Sequence, residues 1–151
     1  MEGARQAYEE ALITYRELAR DDPETYLHFV SGTLNNLGVL LYAQNRTKEA
    51  RQSFEEALKI RRELARKNPD SYLPEVAMTL DNLGNLDNVQ KRMAEARQEY
   101  EESLRIRREM ARTNPDAYLA DVAVTLNNLG MLQFRRPRTR WRGRVRHLRR
   151  C

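Results

Sequence analysis

Asn68-Pro69-Asp70-Ser71-Tyr72-Leu73-Pro74-Glu75-Val76-Ala77-Met78-Thr79-Leu80-Asp81-Asn82-Leu83-Gly84 decides the fold, because two further copies of this text stand at one fixed distance from it. The earlier copy runs from Asp22-Pro23 to Leu37-Gly38 and the later from Asn114-Pro115 to Leu129-Gly130. The prolines (23, 69, 115) and the glycines (38, 84, 130) therefore each step by 46 residues. A unit repeated at a period of roughly 20–50 residues cannot bury its apolar face alone and does so by stacking on the next, which makes a solenoid. Between residues 50–88 and 96–134, 25 of 39 positions are identical, more than shared helical composition produces. The remaining differences, such as Phe54 to Tyr100, Lys59 to Arg105 and Leu64 to Met110, roughly preserve volume and hence packing.

Working outward, residues 4–20 carry apolar side chains at 4, 7, 8, 11, 12, 15, 18 and 19, one stripe of a helix. Pro23 disfavours helical geometry at Asp22 and stops it. A second helix covers 26–43, with Val30, Leu34, Leu37 and Leu41 on one face and Gly38 among them. Glycine inside a helix costs about 1 kcal/mol against alanine, so its return at 84 and 130 requires close approach of a neighbouring helix. Gln44-Asn45-Arg46 is a tight turn, and 47–66 resumes the pattern, completing a hairpin. The unit then repeats as helix 72–89, turn 90–92, helix 93–112 and helix 118–134. The expected fold is all-α over residues 1–134, antiparallel helix hairpins stacked as an α-solenoid.

Charge is unevenly spread. Residues 135–151 hold nine arginines and no acid, which leaves 18 basic against 22 acidic residues before them, so the net +5 of the whole chain hides a mildly acidic repeat region. Charged pairs within a helix, such as Glu55 with Lys59 and Glu101 with Arg105, are surface support at i,i+4, and the Arg61-Arg62-Glu63 and Arg107-Arg108-Glu109 triplets read as solvated faces. The single cysteine, Cys151, has no intrachain partner, which favours a reducing compartment. No run of about eighteen apolar residues and no apolar leader after Met1 is present, so neither a membrane span nor a secretory signal is expected and the cytoplasm is the expected location.

The frame Leu80-x-x-Leu83-Gly84, then Ala96, Tyr100 and Ser103, together with Leu34, Leu37, Gly38, Ala50, Phe54 and Ala57, resembles the tetratricopeptide repeat (TPR). Leu126, Leu129 and Gly130 continue it in the third copy. Repeats of that family run about 34 residues. The longer unit here is similar to the arrays of kinesin light chains and of many prokaryotic multi-repeat proteins. The resemblance implies a right-handed superhelix in which each hairpin is a helix A followed by a helix B. The chain starts on a helix B (4–20) and ends on a helix A (118–134), so both terminal helices lack a hairpin partner. Either the chain belongs to a longer array or its ends are completed by self-association. Asp87 and Gln133 stand where the family carries a large apolar or aromatic side chain, as Leu41 does in the first copy, so looser packing is expected there.

The resemblance further implies that helix A residues line a concave groove for a peptide or a partner helix. The matching positions are Asn35 and Asn36, Asp81 and Asn82, Asn127 and Asn128, with Asn85 beside them. An amide repeated at one register offers donors and an acceptor to a ligand backbone without demanding a side-chain sequence. The alternative is that these amides bond to a neighbouring helix or to water. The expected function is a protein-protein interaction scaffold; a structural spacer within a larger regulatory protein is the other reading of the repeats.

Catalysis has little support. His28 and His147 have no second ligand at metal spacing, no His-based triad can be assembled, and every repeat glycine stands alone within a helix rather than in a phosphate loop. Neither an enzyme activity nor a cofactor nor a metal is expected. The tail from Arg135 to Cys151 carries two open readings: nine arginines with Trp141 as a salt-sensitive nucleic-acid binder, or out-of-frame text, because the repeat breaks off after Leu132.

Overall fold

The computed structural model describes residues 2–134, and the arginine-rich segment with its two readings lies outside them. Six α-helices follow one another: α1 (Glu2–Asp21), α2 (Pro23–Ala43), α3 (Thr47–Lys67), α4 (Pro69–Val89), α5 (Met93–Thr113) and α6 (Pro115–Phe134). No strand is present among the described residues. Each helix packs on its neighbours in chain order, and α2 also touches α4. This is an α-solenoid in which α2, α4 and α6 are helices A and α1, α3 and α5 are helices B.

The prolines start helices rather than merely ending them. Helices α2, α4 and α6 begin on Pro23, Pro69 and Pro115, three residues earlier than hydrophobic periodicity places them. Proline at the first helical position lacks only an N–H that would have no intrahelical partner, and its φ is already helical. The residue before it caps the helix. Asp22 Oδ1 accepts from Thr25 N at 3.1 Å, Asn68 Oδ1 from Ser71 N at 3.3 Å and Asn114 Oδ1 from Ala117 N at 3.2 Å. The Asp22 carboxyl is accordingly held below its ordinary value by Thr25. A single capping residue thus separates one hairpin from the next.

Within a hairpin the turn is equally short. Asn45 (φ 60°) and Lys91 (φ 61°) adopt the left-handed conformation. The following amides reach back to the last turn of the helix, Arg46 N to Leu41 O at 2.9 Å and Arg92 N to Asp87 O at 2.8 Å. Those bonds are the six-to-one closure of a Schellman motif. Asparagine visits this region readily; lysine does so at a cost of roughly 1 kcal/mol.

The main core gathers Val30, Leu34 and Leu41 of α2, Phe54, Ala57 and Leu58 of α3, and Val76, Leu80 and Leu86 of α4. A smaller cluster of Ala96, Tyr100 and Leu104 with Leu129 and Leu132 holds α6 on α5. The close approach expected at the repeat glycines exists at two of them. A Cβ on Gly38 would stand 2.6 Å from Phe54 Cε1, and one on Gly84 would stand 2.6 Å from Tyr100 Cε1. Gly130 has nothing within 4 Å among the described residues, which end with α6.

Candidate partner-binding surface

The repeated asparagines fall into two registers with different surroundings. Residues 35, 81 and 127 form the first. Asn35 and Asp81 are buried, turned toward the next helix A, while Asn127 at the open end is exposed. Thr79 Oγ donates to Asn35 Oδ1 at 3.5 Å, and Thr125 Oγ lies 3.4 Å from Asp81 Oδ2. An arginine from the helix B between them completes each junction. Arg61 Nη1 donates to Thr79 Oγ at 2.6 Å and Glu75 O at 3.1 Å; Arg107 Nη1 donates to Thr125 Oγ at 2.9 Å and Asp121 O at 3.0 Å. Both guanidinium groups are buried, contrary to the expectation that the Arg-Arg-Glu triplets are solvated faces. Burial lowers Arg61 from its ordinary value, against the raising influence of Glu75. Burial raises the Asp81 carboxyl, opposed by Ser103, Arg107 and Thr125.

The second and third residues of each triplet are exposed, and Arg62 of the first is paired. Arg62 Nη2 grips both oxygens of Glu102 at 2.8 and 2.9 Å, and in the preceding unit Arg16 Nη2 does the same to Glu56 at 2.7 and 2.8 Å. These pairs link α1 to α3 and α3 to α5 at identical register. Glu55 lies 3.7 Å from Arg51, and no Glu55–Lys59 or Glu101–Arg105 bridge forms among the described residues.

Asp87 is fully buried and far from loose. Arg51 of α3 contacts both its oxygens, and Arg92 Nε lies 3.5 Å away. The expectation of weak packing at the end of α4 is therefore corrected: an ion pair between helices replaces the apolar contact that Leu41 makes in α2. Glu99 of α5 faces the same cleft, and burial, with Asp87 beside it, pushes its carboxyl up to about 8.

Residues 36, 82 and 128 form the second register, one residue on and pointing elsewhere. Asn36 is exposed, and Asn82 and Asn128 are half-buried. Asn82 Nδ2 donates to Asn35 Oδ1 at 3.1 Å, which leaves its own carbonyl oxygen uncommitted among the described residues. Asn85 Oδ1 accepts from Tyr100 Oη at 2.6 Å, and Asn127 Nδ2 approaches Met131 Sδ at 3.8 Å. At i±3 and i±4 from these amides, hence on the same helix faces, stand Val39, Met78, Val124 and Met131, each more than 40% exposed. Met78 and Val124 escaped the sequence reading; their offset of 46 from each other, outside the buried stripe, is the signal that marks them.

Among the described residues no cluster of His, Cys, Asp and Glu could hold a metal ion, and no helix is long and apolar enough to cross a membrane. The tetratricopeptide repeat sequence profile matches residues 30–70 and 76–111, just over half of the chain. The chain belongs to the tetratricopeptide repeat family. Apart from a short gap near the start of α4, the TPR profile runs from within α2 through nearly all of α5, the part of the solenoid that holds both glycine-aromatic contacts. The crystal structure of BtubC (BKLC) from P. vanneervenii superposes on this TPR array with a TM-score of 0.64 at 25% identity, over 89% of this chain. The chain spans half the length of BtubC. No curated protein sequence shows a match. The resemblance drawn from Leu80, Leu83, Gly84, Ala96 and Tyr100 is thus the family itself.

Proposed function

We propose that this TPR array is a protein-binding module of the cytoplasm, and that Asn36, Asn82 and Asn128 with the apolar side chains around them form its contact surface. TPR repeats generally mediate protein-protein interactions. One observation supports this location: Val39, Met78, Val124 and Met131 are exposed on helices A beside the repeated amides. Apolar side chains interleaved with amides suit a peptide or an amphipathic helix, since the first bury surface and the second satisfy backbone groups. Asn35 and Asp81 serve differently in this reading. They join successive helices A and set the pitch of the surface. The role is binding and not catalysis.

The test starts from the full chain as bait and an identified partner from the source cell. Replacing Asn36, Asn82 and Asn128 together by alanine removes three hydrogen-bonding groups worth about 1 kcal/mol each, so Kd rises roughly a hundredfold with helicity unchanged. Lys59→Ala, an exposed change on α3, serves as control. An affinity equal to that of the unaltered chain places the partner elsewhere.

A further inference from the structure

We propose that copies of this chain associate head to tail, the α1 face of one copy closing on the α6 face of the next as a helix B closes on a helix A inside the molecule. The internal junctions define what such a contact requires, and the two ends supply it. Inside the chain, Gly38 receives the ring of Phe54 and Gly84 that of Tyr100. Gly130 repeats that notch and is open among the described residues. The aromatic residue in register is Tyr8, on the α1 face that α3 and α5 bury and that α1 leaves half exposed.

Two polar links fall in the same alignment. The Arg16–Glu56 and Arg62–Glu102 clamps continue to Arg108, which has no ion-pair partner among the described residues; the carboxylate in register is Glu10 of a second copy. The bonds from Thr79 to Asn35 and from Thr125 to Asp81 continue to the exposed Asn127, whose matching hydroxyl is that of Thr33. One displacement of three whole repeats therefore satisfies a steric notch, an ion pair and a hydrogen bond at once. The contact joins two different surfaces, so it is heterologous and propagates instead of stopping at a dimer.

Sedimentation equilibrium of the full chain in reductant, which removes any disulfide through Cys151, reads the outcome. The weight-average mass is expected to rise with concentration beyond that of a dimer. Gly130→Trp fills the notch without touching the fold, and Tyr8→Glu spoils the opposite face; each alone is expected to run as a monomer. Mixed in equal amounts, they retain one good end of each kind and are expected to form a 1:1 dimer and nothing larger. Circular dichroism of each variant checks the fold. Should Tyr8→Glu disturb it, Glu10→Arg is expected to weaken association and added Arg108→Glu to restore it. A chain that stays monomeric at every concentration overturns the proposal, whether residues 135–151 or another protein cover α6. So does association that stops at a dimer, or a mixture of the two variants that remains monomeric.

Discussion

A methyl group at Gly84 would meet the Tyr100 ring 2.6 Å away, whereas one at Gly130 would meet nothing within 4 Å among the described residues. Alanine is favoured over glycine in a helix by about 1 kcal/mol, while overpacking a core costs roughly 1–3 kcal/mol. Tyr100 is buried and tethered through its hydroxyl to Asn85, so its ring cannot swing aside. Gly84→Ala is therefore expected to destabilise by about 1–2 kcal/mol, and Gly130→Ala to stabilise by up to about 1 kcal/mol, in urea denaturation of dilute protein. Equal effects at the two positions would show that the notch is irrelevant. The glycines were legible because they recur at one spacing inside helices, where nothing but a close neighbour justifies them. Arg61 was not: it stands beside Arg62 in the same triplet, and only the angle around α3 decides that one is buried against Thr79 while the other reaches Glu102.

At the level of helices, the units are joined by polar contacts that shift between copies while keeping the charge balance. Arg61 Nε has the Glu75 carboxylate of α4 at 3.2 Å, and the Thr79 hydroxyl that Arg61 also holds faces the neutral Asn35. In the next unit Asp121 is one methylene shorter, and Arg107 instead takes Asp81, at 2.8 Å. As text, Glu75 to Asp121 and Asn35 to Asp81 are minor exchanges; their dependence on one another arises only when helices some forty residues apart are brought together. The same holds for Asp87, an anomaly by family pattern whose partner Arg51 belongs to the preceding helix B. Removing one member of a buried pair costs about 3–5 kcal/mol, whereas replacing both by apolar residues is often neutral. Asp87→Ala is thus expected to lower stability by about 3 kcal/mol, and Asp87→Leu with Arg51→Met to recover most of it, read from the urea midpoint. A double variant as unstable as the single one would show that the pair itself is what α4 needs.

Across the whole molecule, stability is a sum over neighbouring helices. Helices α2 to α5 pack against a chain-order neighbour on either side, while among the described residues α1 and α6 have such a neighbour on one side only, with polar links to α3 and α4 besides. Backbone amides of α1 and α6 are expected to exchange with deuterium at least about tenfold faster than those of α2 and α4, measured on the monomeric Tyr8→Glu variant. Protection of α6 equal to that of α4 would mean that it is covered on its second side. The architecture as a whole was readable from period and hydrophobic stripe, whereas the division of the asparagines into a joining register and an outward one was not, since adjacent residues differ by about 100° around a helix and no text records which way each points. The clamps from Arg16 to Glu56 and from Arg62 to Glu102 carry a consequence for how such a gene can change. Gaining or losing a whole unit of 46 residues keeps the glycine-aromatic contact and the arginine-glutamate clamp, because both recur at the same positions in successive units. A change shorter by a single residue turns every later helix by about 100°, taking a glycine away from its ring and an arginine from its carboxylate together. Array length is therefore free to vary in steps of one repeat and closed to any smaller step.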